Sequence, residues 1–256
     1  MPVISTNTAA NSALRFLNAN SSEQSSSLSK IASGSRINKA SDDAAGLAIS
    51  TGLSSDVTTL NQAATNASQA SSILQIADGG MSNIADILER MKALATQSNS
   101  GSVTDDQRTY LQAEFSELQE EIDGIAKGTR YNGESLLDGT GSMASGVDFM
   151  VGTSTTDVIS VQIDDVDSTE LGVDTATINV SSQSDAQTAL TAIDAAISSI
   201  SSSRAEIGAS MSRFEFRSDT IATSIENTEA ANSAITDTDV ATEQTKLSSA
   251  EVKTQA

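Results

Sequence analysis

Two series of apolar residues, one in each half of the chain, recur at intervals of seven. The first series is Leu53, Leu60, Ala67, Leu74, Met81, Leu88 and Ala95. The second is Ile193, Ile200, Ile207, Phe214 and Ile221, followed at the same spacing by Thr228 and Ile235. Apolar residues at this spacing form one stripe along a helix, and a stripe needs a partner to leave water. The two series therefore predict two long helices whose seam-packing residues face each other in an antiparallel bundle or coiled coil.

Composition favours narrow helical seams over a large core and argues against catalysis. Of the 256 residues, 38% are hydrophobic and 3% are aromatic, and the chain contains neither Cys nor His. It therefore has no thiolate nucleophile and lacks the commonest general base and metal ligand. It also has no phosphate-binding loop, zinc-protease motif or nucleophile elbow. We predict no enzyme activity, no catalytic residue, no metal site and no cofactor.

The charge of the chain lies mostly in its middle. The formal net charge is −20, and residues 101–185 hold 17 acidic and 3 basic residues. Such a segment repels phosphates and anionic lipid heads, so we expect neither nucleic acid nor membrane as a partner. The chain has no apolar run of roughly 20 residues and no secretory signal peptide. We expect a cytoplasmic protein or one exported by a route that reads no such signal.

The remaining pattern predicts a mainly α fold with a small β-hairpin region in the middle. We expect helices over 5–33, 43–99, 104–127, 185–235 and about 237–256. Short alternating runs predict strands over 147–151, 158–163 and 176–180. Gly34 breaks the first helix, and Gly79-Gly80 inside the second predicts a tight crossing or a slight bend, at a cost of about 2 kcal/mol relative to two alanines.

Several short motifs occur at regular places in both halves of the chain. They are Gly34-Ser35-Arg36-Ile37-Asn38, Ser41-Asp42-Asp43-Ala44-Ala45-Gly46-Leu47-Ala48-Ile49, Ala77-Asp78-Gly79-Gly80-Met81, Leu94-Ala95-Thr96-Gln97-Ser98, Gln112-Ala113-Glu114-Phe115, Tyr131-Asn132-Gly133, Arg204-Ala205-Glu206-Ile207-Gly208-Ala209 and Arg213-Phe214. Each motif is weak alone, but together they cover nearly the whole chain. At these spacings they closely resemble the motifs of bacterial flagellin, and the sequence is identified as a short member of that family that lacks the large outer domains.

The resemblance implies a structural subunit of the motility filament, secreted and extracellular, that leaves the cell unfolded and polymerises with itself by helix packing. It implies terminal helices at 1–42 and 236–256 that form an inner tube, a helical rod domain of 43–139 with 181–235, and a β-rich variable segment at 140–180. The implied partners are further copies of the chain, a flagellar export chaperone, the filament cap and hook-junction proteins. Alternatives are a host-recognised immune ligand or adhesin and a hook–filament junction protein; Asp42-Asp43-Ala44-Ala45-Gly46 favours flagellin proper.

The chain departs from the family at its end. Flagellins usually continue through a further apolar helical stretch, whereas this sequence ends at Val252-Lys253-Thr254-Gln255-Ala256. A truncated terminal helix would leave the inner tube without much of one wall. We therefore expect the chain as written to stay monomeric or to assemble poorly.

Two groups of candidate site residues follow from the resemblance. Glu89, Arg90, Leu94 and Glu114 resemble the patch that an animal Toll-like receptor grips, although Lys92-Ala93 departs from the common pattern. Arg90 and Leu94 are four residues apart and so share a helix face, which subunit packing would explain equally well. The second group, Arg36, Asp42 and Asp43, lies where the first helix joins the rod. These residues are expected either to set the register between subunits through ion pairs or to cap a helix in a solvated turn.

Overall fold

The computed structural model describes residues 7–255, and these form five α-helices and two pairs of short strands. The helices are α1 (Thr8–Ser33), α2 (Ala44–Ser98), α3 (Asp105–Gly128), α4 (Gln183–Thr236) and α5 (Val240–Gln255). The strands are β1 (Arg130–Tyr131), β2 (Glu134–Ser135), β3 (Val147–Met150) and β4 (Val158–Val161), and β1 pairs with β2 and β3 with β4, both antiparallel. The predicted mainly α fold with a small β region is confirmed. The ends predicted at residues 5 and 256 lie outside the described residues.

Local sequence accounts for the helix boundaries. The Asp43 carboxylate accepts a hydrogen bond from the Gly46 N–H at 2.9 Å and so caps α2. Thr104 forms a reciprocal capping box with Gln107 at the start of α3. Gly34 follows α1 with φ of +71°, a left-handed conformation that glycine adopts without strain.

The chain divides into two compact units, each described by itself. The terminal unit comprises residues up to Thr59 together with those from Thr223 onward, and the central unit comprises Leu60–Ala222. This division is coarser than the three domains inferred from the family resemblance, and those three domains stay a prediction.

In the central unit α2 and α4 run antiparallel. Lys92 pairs with Asp194 at 2.6 Å, and Asp78, earlier in α2, pairs with Arg204, later in α4, at 2.8 Å. The members of both seven-residue series that fall in this unit are buried: Leu60, Ala67, Leu74, Met81, Leu88, Ala95, Ile193, Ile200, Ile207, Phe214 and Ile221. Over their central portions the apolar stripes of α2 and α4 are thus covered by the other helix and by the segments that follow α3.

Gly80 allows the segment that follows α3 to lie close against α2. A Cβ atom at Gly80 would lie 2.6 Å from Thr129 Oγ1 and 2.7 Å from Leu137 Cδ1, whereas a Cβ at Gly79 would meet nothing within 4 Å. The second glycine of the pair therefore allows a close approach, but of a non-helical segment and not of a crossing helix.

Arg108 joins the end of α2 to the start of α3. Its buried guanidinium donates to the carbonyl oxygens of Ser98 and Ser100 at 2.9 and 3.1 Å, and it pairs with Asp105 at 2.8 Å. These carbonyls are left without intrahelical partners because they lie at or just beyond the helix C-terminus.

The prediction of a strand over 176–180 is wrong. Ile178 and Val180 are buried, as the alternation indicates, but the segment pairs with no strand of the described chain. Side chains of the helices satisfy its backbone instead. Gln119 donates to the Ile178 oxygen at 3.3 Å, Ser98 donates to the Val180 oxygen at 2.6 Å, and Gln112 accepts from the Val180 N–H at 2.6 Å.

In the terminal unit α1 packs against α5. The segment that follows α1 and the segment that precedes α5 form a short antiparallel bridge. The Arg36 N–H donates to the Thr236 oxygen at 2.6 Å, and the Thr238 N–H donates to the Gly34 oxygen at 3.0 Å. The two ends of the chain are therefore held together by backbone hydrogen bonds as well as by side chains.

Candidate functional site

Large apolar side chains that α1 and α5 leave in water are an unusual surface feature of the terminal unit. We call them the terminal apolar surface. They are between 44% and 72% exposed and are Leu14, Phe16, Leu17, Leu28, Val240 and Val252. By their spacing Leu14, Leu17 and Leu28 share one side of α1. Within α1 only Ser27 is buried. The helix thus presents most of its apolar residues outward, an arrangement typical of an interaction site.

The seam that holds α1 to α5 is narrow and contains a buried polar pair. Ser27 Oγ donates to Glu243 Oε1 at 2.8 Å, and the other carboxylate oxygen of Glu243 pairs with Lys246 at 2.9 Å. Leu247 and Ala250 supply the buried apolar part of the seam on α5. The hydrogen bond from Lys246, together with that from Ser27, lowers the pKa of the Glu243 carboxyl against the opposing effect of burial.

The predicted joint residues act as caps and turn partners within one chain. Arg36 Nη2 donates to the Ile235 oxygen at 2.7 Å. Asp42 accepts from the N–H groups of Lys39 and Asn38 at 2.9 and 3.1 Å, and these bonds lower the pKa of its carboxyl. Asp43 caps α2. Within the described part of the chain none of the three joint residues forms an ion pair, so a role in register between copies stays a prediction.

The structure divides the four residues predicted as a receptor patch. Arg90 Nε and Nη2 both donate to Glu114 Oε1, at 2.9 and 2.5 Å, which brings α2 and α3 together at the surface. Glu89 is exposed beside this pair. Leu94 is only 2% exposed. Because Leu94 belongs to the core of the folded chain, it is not available as the surface anchor that its spacing from Arg90 suggested.

Residues 7–255 contain no side-chain cluster suited to holding a metal ion. These residues include no cluster of three or more Asp, Glu, His or Cys placed to hold a metal ion. Glu117, Glu120 and Glu121 are exposed on α3, and Asp123 accepts a hydrogen bond from the Ser168 N–H at 2.9 Å. None of the described helices is both long enough and apolar enough to cross a bilayer.

The terminal apolar surface was not predicted as a site. The sequence does contain a signal for this surface, because α1 and α5 carry apolar residues at helical spacing and neither helix has enough apolar positions to cover those of the other. What the sequence does not indicate is which of these residues the α1–α5 seam leaves exposed.

Two family models match this chain and together cover most of it. The model described as the bacterial flagellin N-terminal helical region matches residues 4–142, and the model of the C-terminal helical region matches residues 190–256. A flagellin of Halalkalibacterium halodurans is 33% identical over 99% of this chain and 92% of its own length. A flagellin of Bacillus subtilis is 35% identical over 99% of this chain and 93% of its own length.

Solved structures show the same relationship. The crystal structure of Bacillus cereus flagellin superposes with a TM-score of 0.55 at 30% sequence identity, covering 61% of this chain and 88% of that one. A chain described as a flagellar hook-associated protein of Vibrio parahaemolyticus superposes with a TM-score of 0.63, covering 77% of this chain and 100% of that one. Its identity is 14%, so this second likeness concerns the fold alone.

Proposed function

The chain belongs to the bacterial flagellin family and is a structural subunit of the extracellular flagellar filament, and we propose that it polymerises chiefly through its terminal apolar surface. The observation that carries this proposal is that α1 and α5 leave six apolar side chains in water. As a member of a structural family the chain is not an enzyme.

Burial energetics support this proposal. Complete burial of a fully exposed Leu, Val or Phe contributes about 1.5–3 kcal/mol, and the six side chains, at 44–72% exposed, retain about half of that each. Six such side chains per copy therefore offer a driving force comparable to the cost of association, which is about 4–15 kcal/mol. In a single copy α1 contacts the rest of the chain mainly along one narrow seam. Few contacts therefore offset the conformational entropy that α1 loses when it folds. Neighbouring copies that cover the surface would order the terminal helices as they bind.

Polymerisation of the purified chain tests the proposal. Wild type is expected to form sedimentable filaments, visible by negative-stain electron microscopy, above a critical concentration. This outcome would reject the expectation from the sequence that the chain stays monomeric or assembles poorly. Phe16→Ser and Leu17→Ser should raise that concentration strongly, because each removes an apolar side chain that the polymer buries. Ile76→Ser is the matched control, since Ile76 is exposed on α2 but lies outside the terminal unit. Equal assembly of all three variants and wild type would contradict the proposal.

We further propose that the chain is exported unfolded with a dedicated chaperone and adds at the filament tip, beneath a cap, onto hook-junction proteins. Supporting this route are the absence of Cys and the presence of a single proline, Pro2. Prolyl isomerisation takes tens of seconds, so a chain almost without proline refolds quickly. Expression in a flagellin-deficient bacterium should restore swimming in soft agar. Fusion of a stably folded domain should prevent secretion if the chain must leave unfolded.

A second candidate function is recognition by an animal Toll-like receptor. The observation that favours it is the exposed Arg90–Glu114 pair with Glu89 beside it. A reporter-cell assay should show a signal that Arg90→Ala reduces, because arginine is a frequent interface anchor. Glu120→Ala, a change at another exposed acidic residue of α3, is the control and should leave the signal unchanged. Absence of a signal from wild type would reject this function without affecting the filament proposal.

A further inference from the structure

A notch in the central unit combines exposed apolar and cationic side chains. It lies beside the β3–β4 hairpin and α4, has a volume of about 430 Å³ and is lined in part by Val158, Ile159, Arg213, Phe216 and Arg217. We call it the arginine notch. Phe216 is 73% exposed and Val158 is 41% exposed. Large apolar groups in water next to arginine are typical of the anchors at protein interfaces.

The two arginines of the notch have different surroundings. Arg217 Nε donates to the Val151 oxygen at 2.9 Å, and the guanidinium pairs with Asp157 at 3.5 Å, so Arg217 is held in place as part of the wall. Arg213 is exposed and forms no ion pair with any residue in the described part of the chain. The notch therefore offers an aromatic wall, an apolar floor and one cation available to an acidic partner.

A surface of complementary chemistry lies on α3. Tyr110 is 77% exposed. Asp106, four residues before it, and Glu117, seven residues after it, lie on the same side of the helix and are also exposed. We call these three residues the tyrosine patch. Neither carboxylate of the patch forms an ion pair among the described residues. An aromatic anchor between carboxylates is the counterpart of an apolar notch with a cationic rim.

We propose that the tyrosine patch of one copy of the chain docks into the arginine notch of a second copy. Tyr110 would pack against Phe216 and Val158, and Asp106 or Glu117 would pair with Arg213. The net charge of −20 supports a basic notch that recognises an acidic face of the same protein, because such pairing offsets the repulsion between copies. The inference rests on the proposed polymerisation of the chain and adds to it a contact made by the central unit.

The symmetry of this contact has a direct consequence. Patch and notch are different surfaces, so each copy keeps one of them available after the other is used. Such heterologous contacts continue from copy to copy and generate open filaments, whereas a self-complementary contact stops at a dimer. The proposed docking is thus of the kind that a filament requires.

Cysteine cross-linking of full-length chains tests the contact directly, and the wild-type chain offers a clean background because it has no Cys. Ala113→Cys, three residues after Tyr110 on α3, and Thr156→Cys, in the lining of the notch, leave every proposed charge in place. The two chains, mixed and treated with a short bismaleimide during assembly, should give a cross-linked dimer. Each variant alone should give almost none, and a chain with both changes should give a ladder. Tyr131→Cys mixed with Thr156→Cys is the control and should not cross-link. No dimer from the mixture, or equal dimer from each variant alone, overturns the proposal.

Charge reversal supplies an independent measurement. Arg213→Glu should raise the critical concentration for assembly about tenfold or more, the effect of losing one interface anchor. Asp106→Arg with Glu117→Arg should do the same, and the chain that combines all three changes should recover. Circular dichroism should show unchanged folding, since every changed side chain is exposed. If wild type assembles and these variants assemble equally well, the docking is refuted while the filament proposal stands; if wild type does not assemble, the filament proposal itself fails.

Discussion

Gly79 and Gly80 are adjacent in α2, yet their replacement by alanine is expected to change stability in opposite directions. A Cβ at Gly80 would come within 2.6–2.7 Å of Thr129 Oγ1 and Leu137 Cδ1. Neither neighbour moves easily, because Thr129 Oγ1 donates to the Ile125 oxygen at 2.8 Å and Leu137 is fully buried. At Gly79 the same atom would enter open space.

The magnitudes follow from two competing effects. Alanine is favoured over glycine in a helix by about 1 kcal/mol at either position. Overpacking of a tight core site costs about 1–3 kcal/mol, and two contacts this short place Gly80 at the upper end. Gly79→Ala should therefore stabilise the chain by about 1 kcal/mol, and Gly80→Ala should destabilise it by about 2 kcal/mol. The difference between the variants isolates the steric cost, since both gain the same helix propensity.

Thermal and urea unfolding followed by circular dichroism measure this difference. A gap of about 3 kcal/mol corresponds to roughly 6–12 °C in Tm for a chain of this size. The measurement is made below the critical concentration for assembly, so that polymer does not contribute to the stability. Equal stability of the two variants would refute the close approach of the segment after α3 to α2, and with it the steric requirement for glycine at position 80.

Two further predictions concern polar groups. The pKa of Glu243 is lowered in the folded chain, so the carboxylate stabilises the fold above the ordinary carboxyl pKa, and this contribution is lost as the pH falls through the lower folded pKa. Glu243→Gln should therefore flatten the acid side of a plot of Tm against pH. A plot unchanged from wild type would contradict this assignment. Arg108→Ala should lower the free energy of unfolding by about 1.5–3 kcal/mol, because it removes charged hydrogen bonds from carbonyl oxygens at the end of α2. Arg213→Ala, an exposed control whose side chain forms no ion pair among the described residues, should change it by less than about 0.5 kcal/mol.

Helix positions were predictable because their signals are local. Asp43 and Thr104 each stand at a helix start with an oxygen that can accept from the first turn, and the structure uses both as caps. The strands at Val147–Met150 and Val158–Val161 lie within the predicted ranges, and burial alternates along the second of them. Such features depend on the residues within a few positions of one another, which a single sequence records in full.

The segment around Ile178 shows where local reading fails. Alternation there correctly indicates which side chains are buried, but it does not identify the groups that satisfy the backbone. Gln119 and Gln112, both on α3, take the place of a neighbouring strand. Leu94 shows the same difficulty for the candidate site, since helical spacing placed it beside Arg90 while the packing of α2 places it in the core. In both cases the missing information concerns contacts between residues distant in the sequence.

The two seven-residue series show the same difference between local pattern and long-range packing. Their members are buried from Leu60 to Ala95 and from Ile193 to Ile221, but Leu53 and Ile235, in the terminal unit, are only half-buried at the same spacing. Periodicity thus records which face of a helix is apolar, and the rest of the molecule decides how far that face is covered. In a filament the neighbouring copies also contribute to this coverage. We therefore expect the half-buried continuation of each apolar series in the terminal unit to be covered by assembly.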